Sequence, residues 1–166
     1  MARVTPFLRE NFAPVEVEHS VDDLEVEGEL PSDLVGTFVR NGPNPRFADP
    51  GNYHWFEGDG MLHAVHLDGG RASYRNRWVR TAAWQAEDDA GRALWSAGFR
   101  ADSDEMIKNA ANTAVLEVAG RAYALIEGGV PYEFDPRTLE TVGPTTFDGR
   151  LRGTFTAHPK RDPNGE

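Results

Sequence analysis

The residues able to do metal chemistry are few. There are five histidines, His19, His54, His63, His66 and His158, and no cysteine. Without thiolates, a metal bound here must be held by histidine or carboxylate. Such a site needs several ligands converging on one point. His63 and His66 stand three apart on an expected strand, so their side chains face opposite ways and make a poor chelating pair. His54 lies between Tyr53 and Trp55 in an aromatic cluster. For these three, a packed or surface histidine is the better reading. His158 differs. It sits in Thr156-Ala157-His158-Pro159, at an expected strand end before a proline, and strand ends are where propellers and barrels put their sites. Its own surroundings leave ligand and structural roles evenly balanced.

Glu127 is the second candidate. It shares strand parity with Tyr123 and Leu125, so it would end an apolar face. A carboxylate pointing that way must find a partner or change its protonation. A histidine N–H is a suitable partner, because metal-bound histidines usually donate their second N–H to a carboxylate. The competing reading, a carboxylate in water at a frayed strand end, weighs equally.

The elements that must position these groups read as β structure. Gly36 to Arg40 is expected as a short strand, broken by Asn41-Gly42-Pro43-Asn44-Pro45, whose prolines lack an N–H. Met61 to Leu67 and Arg71 to Arg80 form the clearest hairpin, turning at Asp68-Gly69-Gly70. On its return strand Ala72, Tyr74 and Trp78 share one face, and Arg75 and Arg77 the other. A second hairpin pairs Thr113 to Val118 with Arg121 to Glu127, and Pro131 to Phe134 runs into an Asp135-Pro136-Arg137-Thr138 turn. Residues 81–111 read as a loop or partly helical excursion, with a solvated connection carrying a few packing anchors as the better account. Thr154 to His158 is expected as a strand entering the turn Asp162-Pro163-Asn164-Gly165. No returning strand follows, which points to truncation. Serial short hairpins suit a sandwich or a propeller, and periodicity does not choose between them.

Composition narrows the functional classes. The 166 residues are a one-domain length, with 39% hydrophobic and 27% charged residues, as a soluble globular protein has. The 27 acidic against 17 basic residues give a net charge of −10. That charge and the lack of a basic stripe argue against nucleic acid as a partner. No apolar run approaches the roughly 20 residues that span a bilayer, and Met1 to Glu10 has no signal-peptide pattern. A cytoplasmic location is the default expectation, with peripheral membrane contact left open.

Five segments in order carry a resemblance. Gly36-Thr37-Phe38-Val39-Arg40-Asn41-Gly42-Pro43-Asn44-Pro45 is similar to the first signature of the carotenoid cleavage oxygenases. Tyr53-His54-Trp55-Phe56-Glu57-Gly58-Asp59-Gly60-Met61-Leu62-His63 resembles the second, with Glu57 where Asp is more usual. Asn109 to Thr113, the turn from Asp135 to Gly143, and Thr156-Ala157-His158-Pro159-Lys160 match in order. The resemblance runs from about residue 11 to the end.

It implies an all-β chain that is the incomplete N-terminal part of a seven-bladed β-propeller, residues 1–166 forming one fragment of a single domain. It implies Fe(2+) on the propeller axis, held by four histidines, three of them backed by glutamates. His158 matches the first ligand and Glu127 the first backing glutamate. Thr113 matches a threonine whose methyl crowds an open iron position. The other ligands would lie beyond residue 166. The implied reaction adds O2 across one C=C bond of an apolar polyene, a carotenoid or apocarotenoid, giving two carbonyl products.

Two alternatives stand beside this. One is a stilbene cleaver of the same family. That branch grips a substrate phenol with a lysine just before the backing glutamate and a tyrosine some thirty residues earlier. Here Ile126 precedes Glu127, and no tyrosine occurs between Tyr74 and Tyr123, which favours the polyene. The other is a non-catalytic fragment. One histidine does not hold a catalytic iron against water, so the 166-residue molecule alone is expected to be inactive and its parent to be the enzyme.

Overall fold

The computed structural model describes residues 5–95, 108–160 and 162. They form two antiparallel four-stranded sheets. The first holds β1 (Ser20–Val21), β2 (Gly36–Pro43), β3 (Gly60–Asp68) and β4 (Arg71–Trp78), in the order β1-β4-β3-β2. The second is a simple meander of β5 (Ala114–Val118), β6 (Arg121–Leu125), β7 (Tyr132–Phe134) and β8 (Thr141–Pro144). Between β4 and β5 in the chain, the described residues include one α-helix, α1 (Ala82–Ala90). The described residues are mostly β and make no closed ring.

Local chemistry fixes the registers. The β3–β4 hairpin closes on Gly69 and Gly70, whose φ angles of 57° and 82° suit a two-residue hairpin turn of matching twist. Asp68 is thereby set opposite Arg71 and Met61 opposite Trp78. Ala72, Asn76 and Trp78 are buried on one face of β4, the period of two that the sequence shows. The Asp135 carboxylate accepts from the Arg137 and Thr138 N–H groups at 2.7 and 2.9 Å, closing the β7–β8 turn. The main core joins Leu62 and Ala64 of the first sheet, with Val79 just after β4, to Ala122, Ala124 and Phe134 of the second, with Leu139 in the β7–β8 turn. Its alanines let the two sheets approach closely.

Several elements differ from expectation. Asn41-Gly42-Pro43 does not break β2 but completes it, with Pro43 paired to Gly60. β2 is an edge strand, and an edge tolerates a missing N–H. Residues 81–111 contain a well-capped helix rather than a solvated connection. Thr81 Oγ1 accepts from Trp84 N at 3.1 Å, and Gly91 ends α1 in the left-handed conformation. Trp84 packs with Met61 and Trp78 in a second core cluster. Residues 96–107 lie outside the described residues. Thr154 to His158 forms a single β-bridge, Phe155 to Gly129, instead of a strand. Of the turn at 162–165, only Asp162 is described.

Candidate metal centre

His158, Glu127 and Thr113 come together. All three line one cleft of about 520 Å³, with Asn41, Gly42, Pro43, Trp55, Phe56, Asn112 and Ile126. The lining comes from element ends: the last residues of β2, the residues just before β5, and those just after β6. The β2 end meets the start of β5 because Asn41 Nδ2 donates to the Ala111 and Ala114 carbonyls at 2.7 and 3.3 Å. Asn112 Nδ2 in turn donates to Phe56 O and Gly58 O at 2.8 and 2.6 Å. Two asparagines therefore hold the cleft walls at a fixed spacing.

His158 Nε2 stands 4.0 Å from Glu127 Oε1. That is an ion-pair distance for a protonated ring, too long for a hydrogen bond. The Thr156 hydroxyl donates to Glu127 Oε1 at 3.3 Å and accepts from His158 N at 3.2 Å, linking the two residues through a third. Strand parity did not foresee the position of Glu127. It lies past the end of β6, in the turn that the Gly129–Phe155 bridge closes, and not on an apolar face. Its side chain is 61% exposed and that of His158 66%. Thr113 N donates to Leu125 O at 2.9 Å and its hydroxyl to Asn112 Oδ1 at 3.0 Å, which holds the side chain at the cleft.

His63, His66 and His54 are engaged elsewhere. His63 Nδ1 shares a 2.7 Å hydrogen bond with the Tyr74 hydroxyl, and burial, with Arg40 adding, lowers the His63 pKa. His66 Nδ1 shares one of 2.7 Å with Thr37 Oγ1. His54 Nδ1 accepts from Phe56 N at 3.2 Å at the start of a short helical turn. Among the described residues no three His, Asp or Glu side chains converge as a metal site. The donors present, one exposed imidazole with a carboxylate beside it, fit one corner of a histidine centre and not a whole one.

A buried charge cluster outside the cleft lining was not legible in the sequence. Lys108 Nζ sits 2.8 Å from Asp59 Oδ1 and 2.7 Å from Glu87 Oε2, both carboxylates having side chains only 1% exposed. Asp59 Oδ2 accepts from Arg46 N, and Glu87 Oε1 from Leu94 N, each at 2.9 Å. Burial pushes the Asp59 pKa up, against the pull of Lys108. Burial works to lower the Lys108 pKa, but the two carboxylates outweigh it and hold the ammonium charged. Burial, helped by Asp59 and Glu57, raises the nearby Tyr53 hydroxyl, keeping it protonated.

Residues 12–166 match the family model described as retinal pigment epithelial membrane protein. The chain belongs to this family, the carotenoid cleavage oxygenases. It is 47% identical over 165 residues to a carotenoid cleavage oxygenase of Mycobacterium tuberculosis, covering 96% of this chain and 31% of that one. The crystal structure of the Pseudomonas brassicacearum lignostilbene dioxygenase superposes with a TM-score of 0.84 at 37% identity, over 96% of this chain and 35% of that one. A cobalt-substituted apocarotenoid oxygenase of Synechocystis gives 0.76 at 35% identity, over 90% and 34%. The chain thus spans about a third of the length of the relatives it matches.

Proposed function

We propose that this chain supplies the first two blades of a β-propeller oxygenase that uses non-haem iron to cleave a C=C bond of a carotenoid or apocarotenoid. O2 and the alkene give two carbonyl products, one oxygen atom going to each carbon, so no further reductant is needed. The observation that carries this reading is the convergence of His158, Glu127 and Thr113 in one cleft. The two adjacent four-stranded sheets, whose edge strands β2 and β5 meet through Asn41, suit neighbouring propeller blades. A cobalt-substituted relative supports a metal site in the family.

His158 would hold the iron, together with histidines that the rest of the parent protein must provide. Bound iron would supply the electrons that activate O2. Glu127 would orient the His158 ring, with Thr156 bridging them. The Thr113 methyl would limit water at the centre. Ile126, Pro43, Trp55 and Phe56 wall the cleft with apolar surface on which a polyene can lie. The 166-residue chain alone would be inactive. The lignostilbene dioxygenase among its relatives keeps one second reading in view, cleavage of a stilbene by the same chemistry.

The test uses the full-length parent. Replacing His158 with Ala should lower bound iron, measured by elemental analysis, at least tenfold and abolish cleavage. His63→Ala and His66→Ala should keep their iron, since both rings are committed to Tyr74 and Thr37. Iron lost on changing His63 or His66 with the fold intact by circular dichroism would show that the ligand is misassigned.

A further inference from the structure

The segment from Lys108 to Thr113 is tied down at every residue. Lys108 is clamped between Asp59 and Glu87. Asn109 Nδ2 donates to Val130 O at 3.0 Å, and its Oδ1 accepts from Ala111 N at 3.1 Å. Ala110 O accepts from Gly60 N at 2.7 Å. Ala111 O accepts from Asn41, and Asn112 donates to Phe56 and Gly58. Thr113 N reaches Leu125 O. Within this strap Ala111 holds φ at +44° while fully buried. A non-glycine residue keeps such a backbone only where its surroundings over-determine it, and such places cluster at functional sites. The far end of the strap, Asn112 and Thr113, is a wall of the cleft that holds His158.

We infer that Lys108 is a positioning residue: its buried clamp on Asp59 and Glu87 sets the strap that presents Thr113 and Asn112 to the reacting groups. The inference rests on the oxygenase reading of that cleft. Lys108 does not line the cleft, so it acts only through the strap. Two carboxylates face one ammonium in a space from which water is excluded, so the cation is what lets them sit together. Without it they repel, and the strap loses its first anchor. The bonds at Asn109, Ala110, Ala111 and Asn112 remain, but the strap is no longer fixed at its first residue. Displacements near 1 Å at a reacting centre lower turnover by up to about a hundredfold.

The experiment uses the full-length protein and two variants. Lys108→Met removes the cation. Lys108→Met with Asp59→Asn and Glu87→Gln removes the clamp without leaving bare buried charge, and decides the matter if the single variant does not fold. Amide hydrogen exchange at residues 110–113 should quicken at least tenfold, while amides in the β3–β4 hairpin stay unchanged. On an apocarotenal, kcat should fall at least tenfold with KM within twofold. Exchange that is unchanged in the strap, or that rises equally in β3 and β4, overturns the inference. So does an activity loss that only tracks the folded fraction. Exchange is read whether or not the enzyme turns over. A parent that cleaves no polyene, yet shows the selective exchange, would therefore sink the oxygenase reading and leave the strap standing.

Discussion

Replacing Gly60 with Ala is the sharpest test of how the cleft is built. Gly60 opens β3, opposite Pro43. A Cβ there would lie 2.3 Å from Ala111 O and 2.9 Å from Ala110 O. Carbon–oxygen contacts ordinarily start at about 3.3 Å, so a gap of about 1 Å must open. Neither oxygen is free to move, because Asn41 holds one and Gly60 N itself the other. Overpacking of this kind costs about 1–3 kcal/mol, and loss of the two hydrogen bonds about 0.5–1.5 kcal/mol each. The expected destabilisation is therefore about 2–6 kcal/mol. Gly69→Ala is the control. Its φ is +57°, but nothing lies within 4 Å of a Cβ there, so only the left-handed backbone penalty of about 1–2 kcal/mol applies. Guanidinium unfolding of both full-length variants, with midpoints compared at constant m, measures the difference. If Gly60→Ala costs no more than Gly69→Ala, the close approach of β3 to the strap is not what holds the sheets together.

Two further outcomes are expected. The parent should cleave an apocarotenal at least tenfold more efficiently than resveratrol, because a phenol against the buried Ile126 loses its water at a cost of about 1–3 kcal/mol and gains no donor; comparable stilbene cleavage, with products identified by mass spectrometry, would promote the stilbene reading. The 166-residue chain expressed alone should aggregate, since Val35 and Phe38 near the β2 edge and Val142 on the β8 edge are 64%, 67% and 68% exposed, and it should hold under about a tenth of an equivalent of iron after desalting; a soluble monomer with stoichiometric iron would refute this.

Much of the sheet was legible because its signals are local. Gly69-Gly70 and Asp135-Pro136 fix turns through φ and side-chain capping, and the alternation along β4 is a period read directly from residue types. Helix α1 was half legible. Thr81 and Gly91 are ordinary cap residues, yet the many charged residues of the segment disguised a helix that buries Trp84 and Glu87. The charge cluster was not legible at all. Asp59, Glu87 and Lys108 are 28 and 21 residues apart along the chain, and each alone looks like a surface residue. Parity failed at Glu127 because β6 is buried on both faces from Ala122 to Leu125, so alternation carries no facing information there, and the strand stops before Glu127.

The residues assigned the chemistry contribute little to their own placement. A His158–Glu127 contact 4.0 Å long, with both side chains more than half exposed, does little to hold either group in place. Rigidity at the cleft must therefore come from groups that do no chemistry: Asn41 and Asn112 across the sheet junction, and the clamp on Lys108 at the start of the strap. The same exposure sets what any further part of the parent would do on covering this face. Excluding water from His158 and Glu127 would lower the local dielectric and favour a direct hydrogen bond between ring and carboxylate, while the apolar walls of Ile126, Trp55 and Phe56 gain a partner surface. On the proposed iron-centre reading, covering the cleft would orient the His158 ring, so metal affinity and closure of the fold should rise together.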